Sequence, residues 1–346
     1  MRIFDYSFLK EEKLSANYAR LLSEISLMQG KNALNKVAHK KLLDCLQQVA
    51  IVESVRSSNE IEGIATTRAR FADIFNGVKL PRNHAEEEIV GYKDALSLIH
   101  TSFNKLQFCE KDILLLHRLL FSYTPDGGGA YKKQDNVISQ FSGGRRIIRF
   151  KPLSAPETPE AMEQLVLAYD DAACDRQIPP LLLIPCVILD FLCIHPFDDG
   201  NGRMSRLLTL LLLYRSGFDA GRYVSFEGYV NKYRGEYYEA LYSSSQGWYF
   251  NKNDYMPYIE NFTLMLYMCY TDLHNRIDIA ENAGGRKADR IIALLKNREP
   301  MSKAQIHEYF PDISVSTIES ALAELIRIGE IEKIGTNKNA AYRAKR

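Results

Sequence analysis

HPFDDGNGRMSR, residues 195–206, stands between two apolar runs, LLLIPCVILDFLCI before it and LLTLLLLY after it. Both runs read as buried helices, so the stretch is a helix–turn–helix joint whose glycines fall where the second helix begins. Unpaired N–H groups and the positive end of the helix dipole make such a point a site for phosphate. The side chains suit the same purpose. Asp199 can hold a divalent cation, Arg203 and Arg206 can grip outer phosphates as planar forks, and His195 can take a proton from an incoming hydroxyl. A base, a metal ligand and two phosphate clamps within a dozen residues point to a nucleotide-using transferase. Phe197 reads as an anchor for the loop and Asp198 as a solvated charge.

The rest of the chain bounds that reading. A length of 346 residues with 46% hydrophobic and 25% charged side chains suits two or three globular domains, and a net charge of +1 says nothing either way about a nucleic-acid or acidic partner. Six scattered cysteines without a CxxC pair suit reduced thiols in a cytoplasmic protein. The N-terminus lacks a signal pattern, and the apolar runs are short or interrupted by Pro185 and Asp190, so no membrane span is expected.

Apolar spacing of three and four predicts helices through residues 16–35 and 40–63, with NALNK as their connection, and another helix from His84. Gly63 ends the second. KDILLLHRLLF predicts a short helix, followed by the glycine-rich TPDGGGAYKKQ. NVISQFSGGRRIIRF predicts a β-hairpin turning at Ser-Gly-Gly. A helix restarts near Glu157 or Thr158. FEGYVNKYRGEYYEALYSSS predicts one aromatic-rich helix, and DYMPYIENFTLMLYMCYTDLHNRI a long one. ENAGGRKADR, residues 281–290, shifts composition and marks a boundary. Beyond it, a helix, a short helix, a Ser-capped longer helix and a β-prone tail follow the order of a winged helix-turn-helix. The six other histidines show no metal spacing and are expected on the surface or satisfied in the core.

HPFDDGNGRMSR matches every specified position of the Fic family signature, H-P-F-x-[DE]-G-N-G-R-x-x-R. GGAYKK ahead of a hairpin, the proline-rich SAPETP and YYEAL downstream fall in family order, and the resemblance spans roughly residues 20–275. It implies a mainly α fold: a Fic-type helical core (108–280) with a small β-hairpin flap, an N-terminal helical region (1–107) and a C-terminal winged helix (281–346). It also implies transfer of AMP from ATP to a Ser, Thr or Tyr hydroxyl of a protein target. In that scheme His195 deprotonates the hydroxyl and Asp199 holds Mg²⁺. Asn201 with the N–H groups of Gly200 and Gly202 stabilises charge on the phosphate, and Arg203 and Arg206 bind its outer groups. Tyr237 and Tyr238 are candidates to stack on adenine. The flap near Arg149 and Phe150 offers a sheet edge to an extended target segment. Gly202 separates the chain from the Doc-like kinase branch, which carries Lys there. Two positions depart from many relatives: Lys132 stands for Arg, and Ser245 for an adenine-binding Asn.

SNEIEG, residues 58–63, fits the family's inhibitory pattern [ST]-x-x-x-E-[GN]. Ser58 and Glu62 lie one helical turn apart. The resemblance implies that Glu62 pairs with Arg206 and keeps it from the nucleotide. In some relatives the same glutamate orients water for AMP removal. Self-modification and a homodimer are both compatible with the sequence, which places no interface. The alternative reading is a DNA-binding regulator acting through the C-terminal module. Its recognition helix would present Ser316, Thr317, Glu319 and Ser320, with phosphate contacts from Lys338, Arg343, Lys345 and Arg346.

Overall fold

The computed structural model describes residues 2–125, 127–142, 145–282, 286–296, 298–335 and 340–345. Its centre is the pair α7 (Pro180–Ile194) and α8 (Asn201–Arg215), packed against each other and buried over nearly their whole length. A helix apolar on every side has no solvent face to offer, so both must be wrapped by others. The wrapping comes first from α1 (Ala16–Ala38), α2 (Lys40–Ile61), α3 (Arg68–Phe75), α4 (His84–Ser102) and α5 (Glu110–Leu120). α6 (Thr158–Cys174), α9 (Phe226–Lys232), α10 (Arg234–Ser245) and α11 (Met256–Asn282) complete it. One continuous apolar core joins them. None of the described helices is long and apolar enough to cross a membrane.

Inside α7, Pro185 cannot donate to the carbonyl of Leu181, and the Tyr18 hydroxyl approaches that oxygen at 3.5 Å instead. Further along, buried Asp190 accepts from Tyr6 (2.8 Å), Trp248 Nε1 (2.6 Å) and Tyr255 (2.9 Å) and pairs with Arg2 at 3.3 Å. A carboxylate at such depth needs these partners. They fasten the chain's first residues to the helix that carries His195.

The hairpin forms as expected. β1 (Ile138–Ser142) and β2 (Arg145–Phe150) pair antiparallel, with a register shift between Ile138 and Ser139. Its Gly143-Gly144 turn lies outside the described residues.

Two expectations need correction, and one helix lies where none was expected. NALNK is no connection: α1 runs through it, and the break comes at His39. Asn32, a weak helix former, is held there by a buried bond to Asp219 Oδ1 at 3.1 Å. The aromatic-rich helix is two helices, parted at Tyr233, whose φ of −111° and ψ of 38° leave the helical region. α3, capped by the Thr67 side chain, was not anticipated.

The C-terminal elements are α12 (Lys287–Lys296), β3 (Met301–Ser302), α13 (Lys303–Tyr309), α14 (Val315–Arg327), β4 (Ile331–Ile334) and β5 (Ala341–Ala344). The strands form an antiparallel sheet in the order β3-β5-β4, over a separate apolar cluster around Ile291, Phe310, Ile318 and Leu322. Asp272 on α11 receives Arg276 (3.0 Å) and Arg298 (2.9 Å), and both guanidiniums lie against the Tyr309 ring. That contact docks the unit on α11.

Candidate active site

α7 ends at His195, which has a left-handed backbone (φ 53°, ψ 61°). Such a conformation costs a non-glycine residue about 1–2 kcal/mol and persists only where the surroundings enforce it. The ring Nδ1 lies 3.2 Å from the Leu192 carbonyl, an oxygen that can only accept. In the neutral ring Nδ1 therefore carries the proton and Nε2 the lone pair. Burial pushes the imidazole pKa down to about 4, so the base form prevails at neutral pH.

Phe197, fully buried, pins the turn. Its N–H donates to Asn201 Oδ1 (2.9 Å), and its carbonyl accepts from Asn201 Nδ2 (2.8 Å). Asn201 is only 2% exposed, so its amide holds the loop, where the family resemblance gave it to the phosphate. The Phe197 ring stacks on His117 with centroids 3.7 Å apart. His117 Nδ1 accepts from Gly129 N (2.8 Å), which leaves Nε2–H to donate to the Asp199 carbonyl (3.1 Å). His117 is a satisfied core histidine, as its type suggested, and also part of the loop's mounting.

Gly200, with φ of 81°, turns the chain into α8. Its N–H donates to Asp199 Oδ1 at 2.6 Å. The Asp199 side chain is 71% exposed and reaches toward Arg203 only at 3.5 Å. Asp198 is exposed as well.

The two arginines differ from each other. Arg203 is buried, ion-paired with Glu88 of α4 and set over the Phe121 ring. Arg206 receives three contacts from the end of α2. Its Nε donates to Ser58 Oγ (2.8 Å), and its Nη2 donates to Ser58 O (2.9 Å) and Glu62 Oε1 (2.7 Å). The expected Glu62–Arg206 pair is thus present, and the nearby carboxylate raises the guanidinium pKa against its burial. Glu62 also leans on Gly202: a Cβ there would overlap its Oε1.

These groups line a cavity of about 840 Å³. One wall is Tyr237 (buried), Tyr238 (45% exposed) and Ser245. The flap contributes Phe150, stacked on Tyr249, and Arg149, whose guanidinium lies 5.1 Å from the Tyr242 ring. Glu62, His195, Asp199, Gly200, Asn201, Gly202, Arg203, Arg206, Tyr237, Tyr238, Arg149 and Phe150 all line this one space, and Ser58 touches it through Arg206. Glu88 and Asn136 escaped the sequence reading, and Lys132 and His117 were named there without a part in holding the loop, because only the fold brings them to it. Among the described residues, no cluster of three or more His, Cys, Asp or Glu side chains forms a metal site by itself.

An imidazole, an exposed carboxylate and two guanidiniums thus stand together at the start of a buried helix on a helical fold. Residues 107–213 match the model of the Fic/DOC family, and the chain carries a Fic domain. It is 26% identical to a protein adenylyltransferase Fic of Drosophila virilis over 322 residues, covering 87% of this chain and 60% of that protein. A protein adenylyltransferase of Caenorhabditis elegans is 26% identical over 195 residues, 54% of this chain and 36% of that protein. The chain spans less than two thirds of the length of these curated relatives. A Fic family protein from Desulfovibrio desulfuricans G20 shares the fold at a TM-score of 0.62 and 18% identity, covering 96% of this chain and 97% of that one. The solved Fic-1 fragment of C. elegans gives a TM-score of 0.59 at 19% identity, with 76% and 73% covered.

Proposed function

We propose that this protein transfers the adenylyl group of ATP to a hydroxyl of a protein target, itself included. What carries the reading is the neutral, Nδ1-tethered His195 in one cavity with Asp199, Arg203 and the start of α8. The relatives' printed name, protein adenylyltransferase, agrees with it. In this scheme Nε2 of His195 takes the acceptor's proton as its oxygen attacks the α-phosphorus. The bond from that phosphorus to the bridging oxygen breaks, and pyrophosphate leaves. The N–H groups of Gly202 and its neighbours and the guanidiniums meet charge on the phosphates. Mg²⁺ accompanying the nucleotide would be held by Asp199. One exposed carboxylate suits an ion that keeps several waters and takes phosphate oxygens, and it would neutralise charge there.

In this reading Glu62 is an inhibitor. Its carboxylate sits on the anion-binding end of α8 and engages Arg206, so a γ-phosphate meets an occupied clamp. Whether the same carboxylate also serves AMP removal is a matter for the assay below. The flap edge near Arg149 and Phe150 would dock an extended target segment. We assign residues 1–107, 108–280 and 281–346 to the inhibitory, catalytic and winged-helix regions, and the protein to the cytoplasm, which suits its six free thiols. A DNA-binding role finds less support: Arg343 is paired with Glu332, and Glu319 of the would-be recognition helix with Lys303. Lys338 and Arg346 lie outside the described residues.

The test is intact mass after incubation with ATP and Mg²⁺. Wild type, Glu62→Gly and Glu62→Gly/His195→Ala are compared, with pre-modified protein added to detect AMP loss. An AMP-sized gain, strong in the single variant and absent from the double, is expected. A phosphate-sized gain would move the chain to phosphorylation.

A further inference from the structure

The backbone carbonyls of Ile194, Pro196, Phe197 and Asp199 all accept from side chains or N–H groups outside the loop. His117 serves Asp199, and Asn136 Nδ2 serves Phe197 at 3.0 Å. The two that flank His195 share one donor residue. Lys132 N–H donates to Pro196 O at 2.8 Å, and Lys132 Nζ donates to Ile194 O at 3.0 Å. Lys132 is 4% exposed, and its ammonium also donates to Leu153 O (2.7 Å), just past the flap, and to Asn136 Oδ1 (3.1 Å). Three donors on a buried cation meet three acceptors, a saturated arrangement rather than a lysine folded in by chance.

We infer that Lys132 is a positioning residue for His195, holding the peptide on each side of it so that the strained left-handed backbone keeps Nε2 in the cavity. The inference rests on the adenylyl-transfer reading and adds a residue to its machinery. His195 cannot relax toward an ordinary φ without swinging the Ile194 or Pro196 carbonyl, and Lys132 resists both movements. Because it also grips Leu153, the same residue sets the spacing between flap and base. The charged and titratable groups facing its ammonium are Asp135, Asp198 and Glu157, with His195 beyond. Burial brings its pKa down to about 8 despite those carboxylates. A neutral amine has two N–H groups for three acceptors and turns a lone pair on the third.

The experiment uses the full chain in the Glu62→Gly background, with Lys132→Met and Lys132→Arg. Melting temperature, kcat and KM for ATP are measured from pH 6.5 to 9.5, together with the His195 ring signal by NMR. Lys132→Met should lower kcat by about tenfold or more with KM for ATP little changed, as expected when a reacting group is misplaced. The parent's kcat should fall above about pH 8, and Lys132→Arg, whose guanidinium does not titrate there, should lack that fall. An unchanged kcat in Lys132→Met, a rise in KM in its place, or the same alkaline fall in Lys132→Arg would overturn the inference. If Lys132→Met does not fold, the Lys132→Arg profile decides. A parent inactive with ATP would sink adenylyl transfer instead. The His195 ring signal would then judge Lys132: displaced in the folded variants it supports the inference, unmoved it refutes it.

Discussion

The Glu62 carboxylate occupies the space in which a side chain at position 202 would begin. The two residues belong to α2's cap and α8's first turn, 140 positions apart in sequence, and each constrains the other. Gly202 has no left-handed backbone to require glycine, and in a helix alanine is the better former by about 1 kcal/mol. Its need for glycine comes from Glu62.

A double-mutant cycle follows from that contact. Gly202→Ala should destabilise the wild type by about 1–3 kcal/mol through overpacking and push Glu62 off Arg206. In a Glu62→Gly background the same change should be neutral or mildly stabilising. Urea denaturation of the four proteins gives the coupling, and additive effects would refute the contact.

Ser58 shares the grip on Arg206 through its hydroxyl and carbonyl. Ser58→Ala removes only the hydroxyl, costing about 1–2 kcal/mol of stability. Initial rates of AMP incorporation should rank Glu62→Gly above Ser58→Ala and Ser58→Ala above wild type. A Ser58→Ala protein slower than wild type would mean that Ser58 serves the active arrangement instead.

His195 is deprotonated in the fold down to about pH 4. The kcat of Glu62→Gly should therefore stay level between pH 5.5 and 7.5, a range read from a pKa of about 4 against the ordinary 6.5 of a free imidazole. A rate rising tenfold per unit through pH 6 would show a solvated, ordinary histidine.

Stability carries a related signature. His100, 2% exposed, has its pKa lowered by burial to about 3. Its unfolded form takes a proton below about pH 6.5 and its folded form does not. The stabilisation is therefore complete above that value and declines as pH falls toward 3, by up to about 1.4 kcal/mol per unit. His100→Asn should flatten the stability profile between pH 5 and 6.5 by about one proton, measured by chemical denaturation.

Arg2 should matter more than a terminal residue usually does. Arg2→Ala leaves Asp190 buried without its cation, a loss of about 3–5 kcal/mol if the carboxylate stays charged. Protonation of Asp190, whose pKa is already raised by burial, would soften it. A melting temperature unchanged by Arg2→Ala would show that the tyrosines and Trp248 suffice.

The loop at 195–206 was legible because its chemistry is local: base, turn, carboxylate and guanidiniums lie within one short stretch. The Glu62–Arg206 pair was legible only through the family pattern around SNEIEG. Glu88 looked like any acidic residue in the first turns of a helix, and Lys132 stood out only as a lysine where many relatives carry arginine. Nothing near them in sequence reveals that α4 and the glycine-rich segment fold onto α7 and α8. The break at Tyr233 was hidden for a similar reason, since apolar spacing continues through it. Asn32 misled in the opposite direction, because its partner Asp219 lies far along the chain.

The ion pair between Glu88 and Arg203 bears on where the chain can be divided. The family match begins at residue 107, yet the first arginine of the signature is neutralised from residue 88, and the second is met from residue 62. A protein trimmed to the matched segment would keep a guanidinium in the interior with its counter-charge cut away, and would have to rearrange or unfold to hydrate it. The smallest piece able to present this cavity intact therefore includes α2 and α4. Restraint arrives at the end of α2 and support on α4, and because α2 is itself packed on α4 and α9, a cut between the two helices would release the restraint only by uncovering the core that backs the site.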